Sequence, residues 1–205
     1  RSQDGEGERS ADRAPGCVLE EGVMGRIVFI LGGARSGKSS WAEKLALELE
    51  GEGRSVVYLA TCESRPDDRE MVDRIARHRE RRPSSWRTVE APFTAVEELE
   101  RAGADTVVLL DCLGLWVSNM LHAQEEQEDN GVTDFILARV DELLAAARRS
   151  RCALIVVSNE TGCGLVPTSR LGRLFRDTLG WANQAVAREA DEAWLLVAGL
   201  PQRLK

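Results

Sequence analysis

Lys38 and Ser39 close the spacing Gly32-x-x-x-x-Gly37-Lys38-Ser39 within RIVFILGGARSGKSS, residues 26–40. Those residue types suit one job, the holding of linked phosphates. Gly32 and Gly37 tolerate φ > 0 and carry no Cβ, so backbone N–H groups can turn onto phosphate oxygens. A helix starting near Lys38 aims the positive end of its dipole at the same anion. Lys38 adds a compact, mobile cation, and the Ser39 hydroxyl can ligate Mg²⁺. This is the P-loop pattern, with Gly32, Gly33, Ala34, Arg35, Ser36, Gly37, Lys38 and Ser39 as the nucleotide cradle. Its rival is a glycine-rich strand-to-helix turn with a chance lysine. The apolar run Ile27–Leu31 before it and the helical stretch Trp41–Leu49 after it favour the P-loop and a nucleoside triphosphate.

Three further groups of residues could carry chemistry. Asp111 ends the apolar run Thr106-Val-Val-Leu-Leu, the place of the acid that holds Mg²⁺ downstream of a P-loop; a plain helix cap is the competing reading. His78, one of two histidines, lies in MVDRIARHRERRPSSWRTVE (residues 71–90) among Arg74, Arg77, Arg79, Arg81 and Arg82. Met71, Ile75, His78 and Arg82 share one helical face. Cationic neighbours lower an imidazole's pKa and leave its lone pair free to attack phosphorus. A structural histidine, a surface pair between Asp73 and Arg77, and a nucleic-acid patch compete. The third group is Ser158-Asn159-Glu160 with the loop through Gly162 and Gly164, at the end of a buried strand where open α/β sheets put ligand groups. Arg173, Arg176 and Asp177 follow on a helix, as phosphate contacts or as ordinary surface ion pairs. His122, at a helix end, reads as a solvated residue.

The elements that position these residues alternate. Strands are expected at Ile27–Leu31, Ser55–Ala60, Trp86–Val89, Thr106–Asp111, Cys152–Val157 and Ala193–Val197, with a last edge at Leu200–Lys205. Helices are expected at Trp41–Leu49, from Asp67 or Asp68 to Arg79, at Thr94–Arg101, through Trp116–Leu121, from Thr133 as cap, and at Thr168–Ala190. The Thr133 helix carries Phe135, Ile136, Val140, Leu143 and Leu144 on its apolar side. Residues 124–131 (QEEQEDNG) read as a solvated loop. Most strands are apolar at nearly every position, the mark of a mostly parallel sheet covered by helices on both faces.

At 205 residues the chain fits one α/β domain, residues 25–205, after a polar extension over residues 1–24 that reads as disordered. A net charge of -7 argues against general binding to nucleic acid or anionic membranes. Five cysteines without a C-x-x-C pair indicate neither a disulfide framework nor a zinc site, and reduced thiols point to the cytoplasm. Cys112 and Cys152 read as small core residues. No run is long enough to span a bilayer.

Taken together, the motifs resemble the bifunctional adenosylcobinamide kinase / adenosylcobinamide-phosphate guanylyltransferase family. They are GGARSGKS (32–39), YLAT (58–61), RIxxHRxxRPxxWxTxE (74–90), LLDCLxLWVSN (109–119), VSNExGxGxVP (157–167), FRDxxGxxNQ (175–184) and ADEAWLLVAGLP (190–201). The resemblance implies a RecA-type P-loop fold, a homotrimer, and two reactions: phosphorylation of adenosylcobinamide by ATP or GTP, then transfer of GMP from GTP through a histidine–GMP intermediate. Carried onto this chain, the intermediate falls on His78. The P-loop with Ala60, Thr61, Cys62, Arg79, Glu80, Arg81, Arg82, Glu90 and Asp111 would line the guanine nucleotide site, and Ser39 with Asp111 would hold Mg²⁺. Some relatives have two adjacent histidines where this chain has Arg77-His78. An ordinary small-molecule kinase and a non-catalytic nucleotide-binding module are the alternatives; an Asn-Lys-x-Asp guanine motif is absent, which argues against a switch GTPase.

Overall fold

The computed structural model describes residues 25–62, 76, 79, 80, 82–124 and 128–205. The extension over residues 1–24, the helix expected to end at Arg79 for most of its length, and His78 itself lie outside these residues.

Seven strands form one sheet: β1 (Ile27–Gly32), β2 (Ser55–Ala60), β3 (Arg87–Glu90), β4 (Thr106–Asp111), β5 (Ala153–Asn159), β6 (Glu192–Val197) and β7 (Leu200–Arg203). Their order is β3-β2-β4-β5-β1-β6-β7. All neighbours are parallel except the β6–β7 hairpin. Alternate residues of β1 enter opposite cores. Ile27 and Phe29 join one cluster, and Val28 and Ile30 the other. Both sets are almost fully buried, so the strand is apolar throughout.

Helix α1 (Lys38–Gly51) supplies Ala42, Leu45, Ala46 and Leu49 to one core, the i, i+3, i+4, i+7 stripe of an amphipathic helix. Four helices cover the other face: α2 (Ala95–Glu100), α3 (Leu113–Ala123), α4 (Asp129–Ser150) and α5 (Arg170–Glu189). Trp116 of α3 is wholly buried there. Truncating a core residue such as Leu109 would cost roughly 2–5 kcal/mol.

Two expectations need correction. Helix α4 starts at Asp129, four residues before Thr133. Thr133 is not its cap but meets Thr178 of α5 across a buried 3.1 Å hydroxyl pair. The ion pair from Arg170 to Asp129 and the Val132 N–H bond to the Glu128 carbonyl hold the added turn. Phe135 is 44% exposed, while Ile136, Val140, Leu143 and Leu144 are buried as expected. Cys112 and Cys152 are buried core thiols. No helix among the described residues is long and apolar enough to cross a membrane.

Candidate nucleotide site

Strand register gathers the site. Gly32 of β1 pairs with Asn159 of β5; Asp111 of β4 pairs with Val157 of β5 and Ala60 of β2; Ala60 pairs with Glu90 of β3. The P-loop, Asp111, Asn159, Ala60 and Glu90 thus all stand at the carboxyl end of one sheet, where open α/β folds bind ligands.

The P-loop geometry explains its glycines. A Cβ on Gly32 would lie 2.5 Å from the Leu196 carbonyl oxygen and 2.7 Å from Ser36 Oγ. Gly37 caps α1 with φ 96°, in the left-handed region. Lys38 is 8% exposed, and its Nζ donates to the Gly33 carbonyl at 2.6 Å, so the cation lies across its own loop. Ser36 Oγ is buried without a hydrogen-bond partner among the described residues. Gly33, Ala34 and Arg35 are exposed, and Ser39 is half-buried at the first turn of α1. The motif also has a support that its own residues do not reveal. The tip of the β6–β7 hairpin leans on it, with the Gly199 N–H donating to the Ser36 carbonyl at 2.9 Å. Ala198 and Gly199 take left-handed backbone conformations to make that turn.

Asp111 is not a helix cap. Cys112 occupies the cap position of α3, across a cis peptide bond. The Asp111 carboxylate instead accepts a 2.6 Å hydrogen bond from the Tyr58 hydroxyl. Burial, and then the charge of Asp111, push the Tyr58 pKa far up, so the phenol stays protonated and donates. The Arg82 guanidinium lies 3.3 Å from the centroid of the Tyr58 ring and opposes that shift. The Cys112 thiol is pushed up to about 12, by burial first and Asp111 second, and is no nucleophile at neutral pH.

Thr61 follows β2 wholly buried, and its hydroxyl both accepts from the Cys112 N–H and donates to the Cys112 carbonyl, each at 2.8 Å. Asn119 Nδ2 donates to the Thr61 and Pro92 carbonyls. Thr61 therefore ties β2 to α3, and its side chain is committed before any nucleotide arrives. Ala60 and Cys62 flank it, half-buried. Arg79 reaches Glu90 at 2.5 Å in an exposed ion pair, and Glu80 is exposed. Arg77, His78 and Arg81 lie outside the described residues.

At the end of β5, Ser158 Oγ donates to Asn183 Oδ1 at 2.6 Å, and Asn183 Nδ2 donates to the Asn159 carbonyl at 3.1 Å. The Glu160 N–H donates to the Gly32 carbonyl at 3.0 Å. Arg173 is spent on the Pro167 and Thr168 carbonyls, and Asp177 pairs with Arg176. His122 is exposed, with Nδ1 2.8 Å from the Ser118 carbonyl oxygen.

No group of three or more His, Cys, Asp or Glu able to hold a metal occurs among the described residues. Ser39 lies in the first turn of α1 and Asp111 ends β4, a hydroxyl and a carboxylate of the hard-oxygen type that suits Mg²⁺, which keeps waters and phosphate oxygens as its other ligands.

Residues 28–204, from β1 to β7, match the family described as cobinamide kinase / cobinamide phosphate guanyltransferase. The chain belongs to that family. It is 44% identical over 178 residues to the bifunctional adenosylcobalamin biosynthesis protein CobP of Pseudomonas aeruginosa, covering 86% of this chain and 96% of that protein. It is 40% identical over 187 residues to the bifunctional adenosylcobalamin biosynthesis protein CobU of Escherichia coli, covering 87% and 99%. The CobU protein of Salmonella typhimurium is 37% identical over a stretch of the same length. Among solved structures, one described as an ATPase domain superposes with a TM-score of 0.51 at 14% identity, over 84% of this chain and 69% of that one. That likeness concerns the fold alone, which is of the RecA-type P-loop class. Within the family's shared stretch, the hairpin contact at Gly199 and the Thr61–Cys112 tie were not foreseen. Their traces in the sequence are ADEAWLLVAGLP, whose Gly199 marks a turn without saying what it touches, and the runs YLAT and LLDCL, which hold Thr61 and Cys112 without saying that they meet.

Proposed function

We propose that this chain phosphorylates the hydroxyl of the aminopropanol arm of adenosylcobinamide with ATP or GTP, and then converts the product to adenosylcobinamide-GDP with GTP. In the first reaction the hydroxyl oxygen attacks the γ-phosphorus and the nucleoside diphosphate leaves. In the second, a His78 ring nitrogen attacks the α-phosphorus of GTP, a P–N bond forms and pyrophosphate leaves. The corrinoid phosphate oxygen then attacks that phosphorus, the P–N bond breaks and the imidazole is restored.

Gly32–Ser39 would cradle the phosphates, with Lys38 neutralising charge on the departing oxygens. Ala60–Cys62, Arg79–Arg82 and Glu90 would line the guanine nucleotide. Ser39 and Asp111 would hold Mg²⁺, which when bound supplies charge neutralisation to the phosphates. Assembly as a homotrimer in the cytoplasm belongs to the same reading. So does the treatment of residues 25–205 as its single working domain.

The observation that carries the reading is the link from Arg82 to Asp111. Arg82, four residues after His78 in the sequence, stacks on Tyr58, and Tyr58 holds the Asp111 carboxylate at the end of β4. Arg82 is thereby tied to the carboxyl end of the sheet, which supports a role there for the sequence just before it.

Incubation with α-labelled GTP tests it. Acid-labile, base-stable label on the protein, lost in His78→Ala, is the expected result. Label that survives in His78→Ala would refute the assignment. A plain kinase would pass γ-label to its acceptor and never hold α-label.

A further inference from the structure

We propose that the loop Gly162–Pro167 is the platform on which the corrinoid acceptor docks, with Leu165 and Val166 as its apolar contacts; this rests on the functional reading above. The loop is held at both ends. Its first stem is tied to the first P-loop residue by the Glu160 N–H bond to the Gly32 carbonyl, and the Glu160 carboxylate accepts from the Gly162 N–H at 2.5 Å. Its second stem is gripped by Arg173, which donates to the Pro167 carbonyl at 3.1 Å and the Thr168 carbonyl at 2.7 Å. Ser169 then caps α5 by accepting from the Gly172 N–H.

Between those anchors Leu165 is 98% exposed and Val166 62% exposed. A single apolar residue on a surface is ordinary. Two adjacent ones, on a loop whose first stem is tied to the phosphate cradle, form an exposed apolar step. The acceptor must bring its hydroxyl, and later its phosphate, to the nucleotide held in that cradle. Its macrocycle is broad and flat, and an exposed loop offers it an open face. Its rim carries methyl groups, which match Leu165 and Val166, and amide arms, which match the peptide groups of a loop free of sheet pairing. Gly164 leaves the approach open, since a Cβ there would meet nothing nearer than the Thr161 carbonyl oxygen at 3.9 Å.

The test uses the full chain, adenosylcobinamide as probe, and three variants: Leu165→Ser, Val166→Ser and Gly164→Trp. Because these side chains project into solvent or open space, the fold should survive. The expected result is a rise in the corrinoid KM and Kd of roughly tenfold or more in Leu165→Ser and Gly164→Trp, the scale of one apolar side chain's burial. GTP affinity, α-label uptake and melting temperature should stay at wild-type values. Cys163, an exposed thiol in the same loop, gives a readout without turnover. Saturating corrinoid should slow its alkylation by a maleimide, followed on its own peptide by mass spectrometry. Corrinoid constants within about twofold of wild type in all three variants, a change too small for a lost apolar contact, would overturn the proposal. So would an altered subunit number in Leu165→Ser, which would assign the step to a second copy of the chain. Wild-type protein that takes no α-label fails the functional reading instead, a result distinct from either.

Discussion

Tyr58 donates its phenolic hydrogen to Asp111 across 2.6 Å, from the neighbouring parallel strand and on the same face of the sheet. Tyr58 pairs in register with Leu109, so Asp111 lies two residues further on, on the diagonal where same-face side chains meet. The bond takes one carboxylate oxygen and leaves the other for a different partner. Burial keeps the phenol protonated, so the donor does not switch off at neutral pH.

Replacing Tyr58 by Phe keeps the ring under Arg82 and removes only the donor. A hydrogen bond to a charged acceptor contributes roughly 1.5–3 kcal/mol, so unfolding in urea should show a loss of that size. Affinity for Mn²⁺ in the GDP complex, read by electron paramagnetic resonance, should fall as well. Unchanged values in both would mean that Tyr58 does not orient Asp111.

Lys38→Ala should abolish measurable GTP and ATP binding in calorimetry while the chain stays folded. The Lys38 hydrogen bond to Gly33 lies within its own loop and joins no two strands. Wild-type affinity in this variant would contradict the P-loop role.

Two adjacent glycines should behave oppositely. Gly32→Ala drives a Cβ to 2.5 Å from the Leu196 carbonyl, a backbone atom held in the sheet, and should destabilise by about 1–3 kcal/mol, as overpacking does. Gly33→Ala meets nothing within 4 Å and should be near neutral in stability. Equal melting temperatures for the two would show that the β6 backbone does not confine Gly32.

Asp191 sets an acid limb. Burial alone would raise its pKa, but hydrogen bonds from Arg148 and the Ile27 N–H hold it below the usual carboxylate value. A lowered folded pKa means that the contribution is fully present above the unfolded value, near ~4, and is lost as pH falls through the folded value. Urea titrations across acid pH should show this decline in wild type and a flatter limb in Asp191→Asn. Parallel limbs would remove Asp191 from the acid response.

The local sequence determined the alternation of elements, the parallel sheet, the phosphate cradle and the carboxylate at the end of β4. Each rests on residues near one another in the chain: apolar runs of strand length, a fixed glycine spacing, helical stripes. The family was legible because its motifs occur in one order. Only the tertiary structure decided what those residues touch. It joined Tyr58 to Asp111, committed Thr61 to Cys112, and set Gly199 against Ser36, because strand register and hairpin closure bring together groups 51 to 163 positions apart. The start of α4 escaped for the same reason. Asn130 and Gly131 look like helix breakers, yet the Thr133–Thr178 contact and the Arg170–Asp129 pair stabilise an added turn. Spacing along a chain reports which groups can act, and packing between distant segments decides which of them remain available to a ligand.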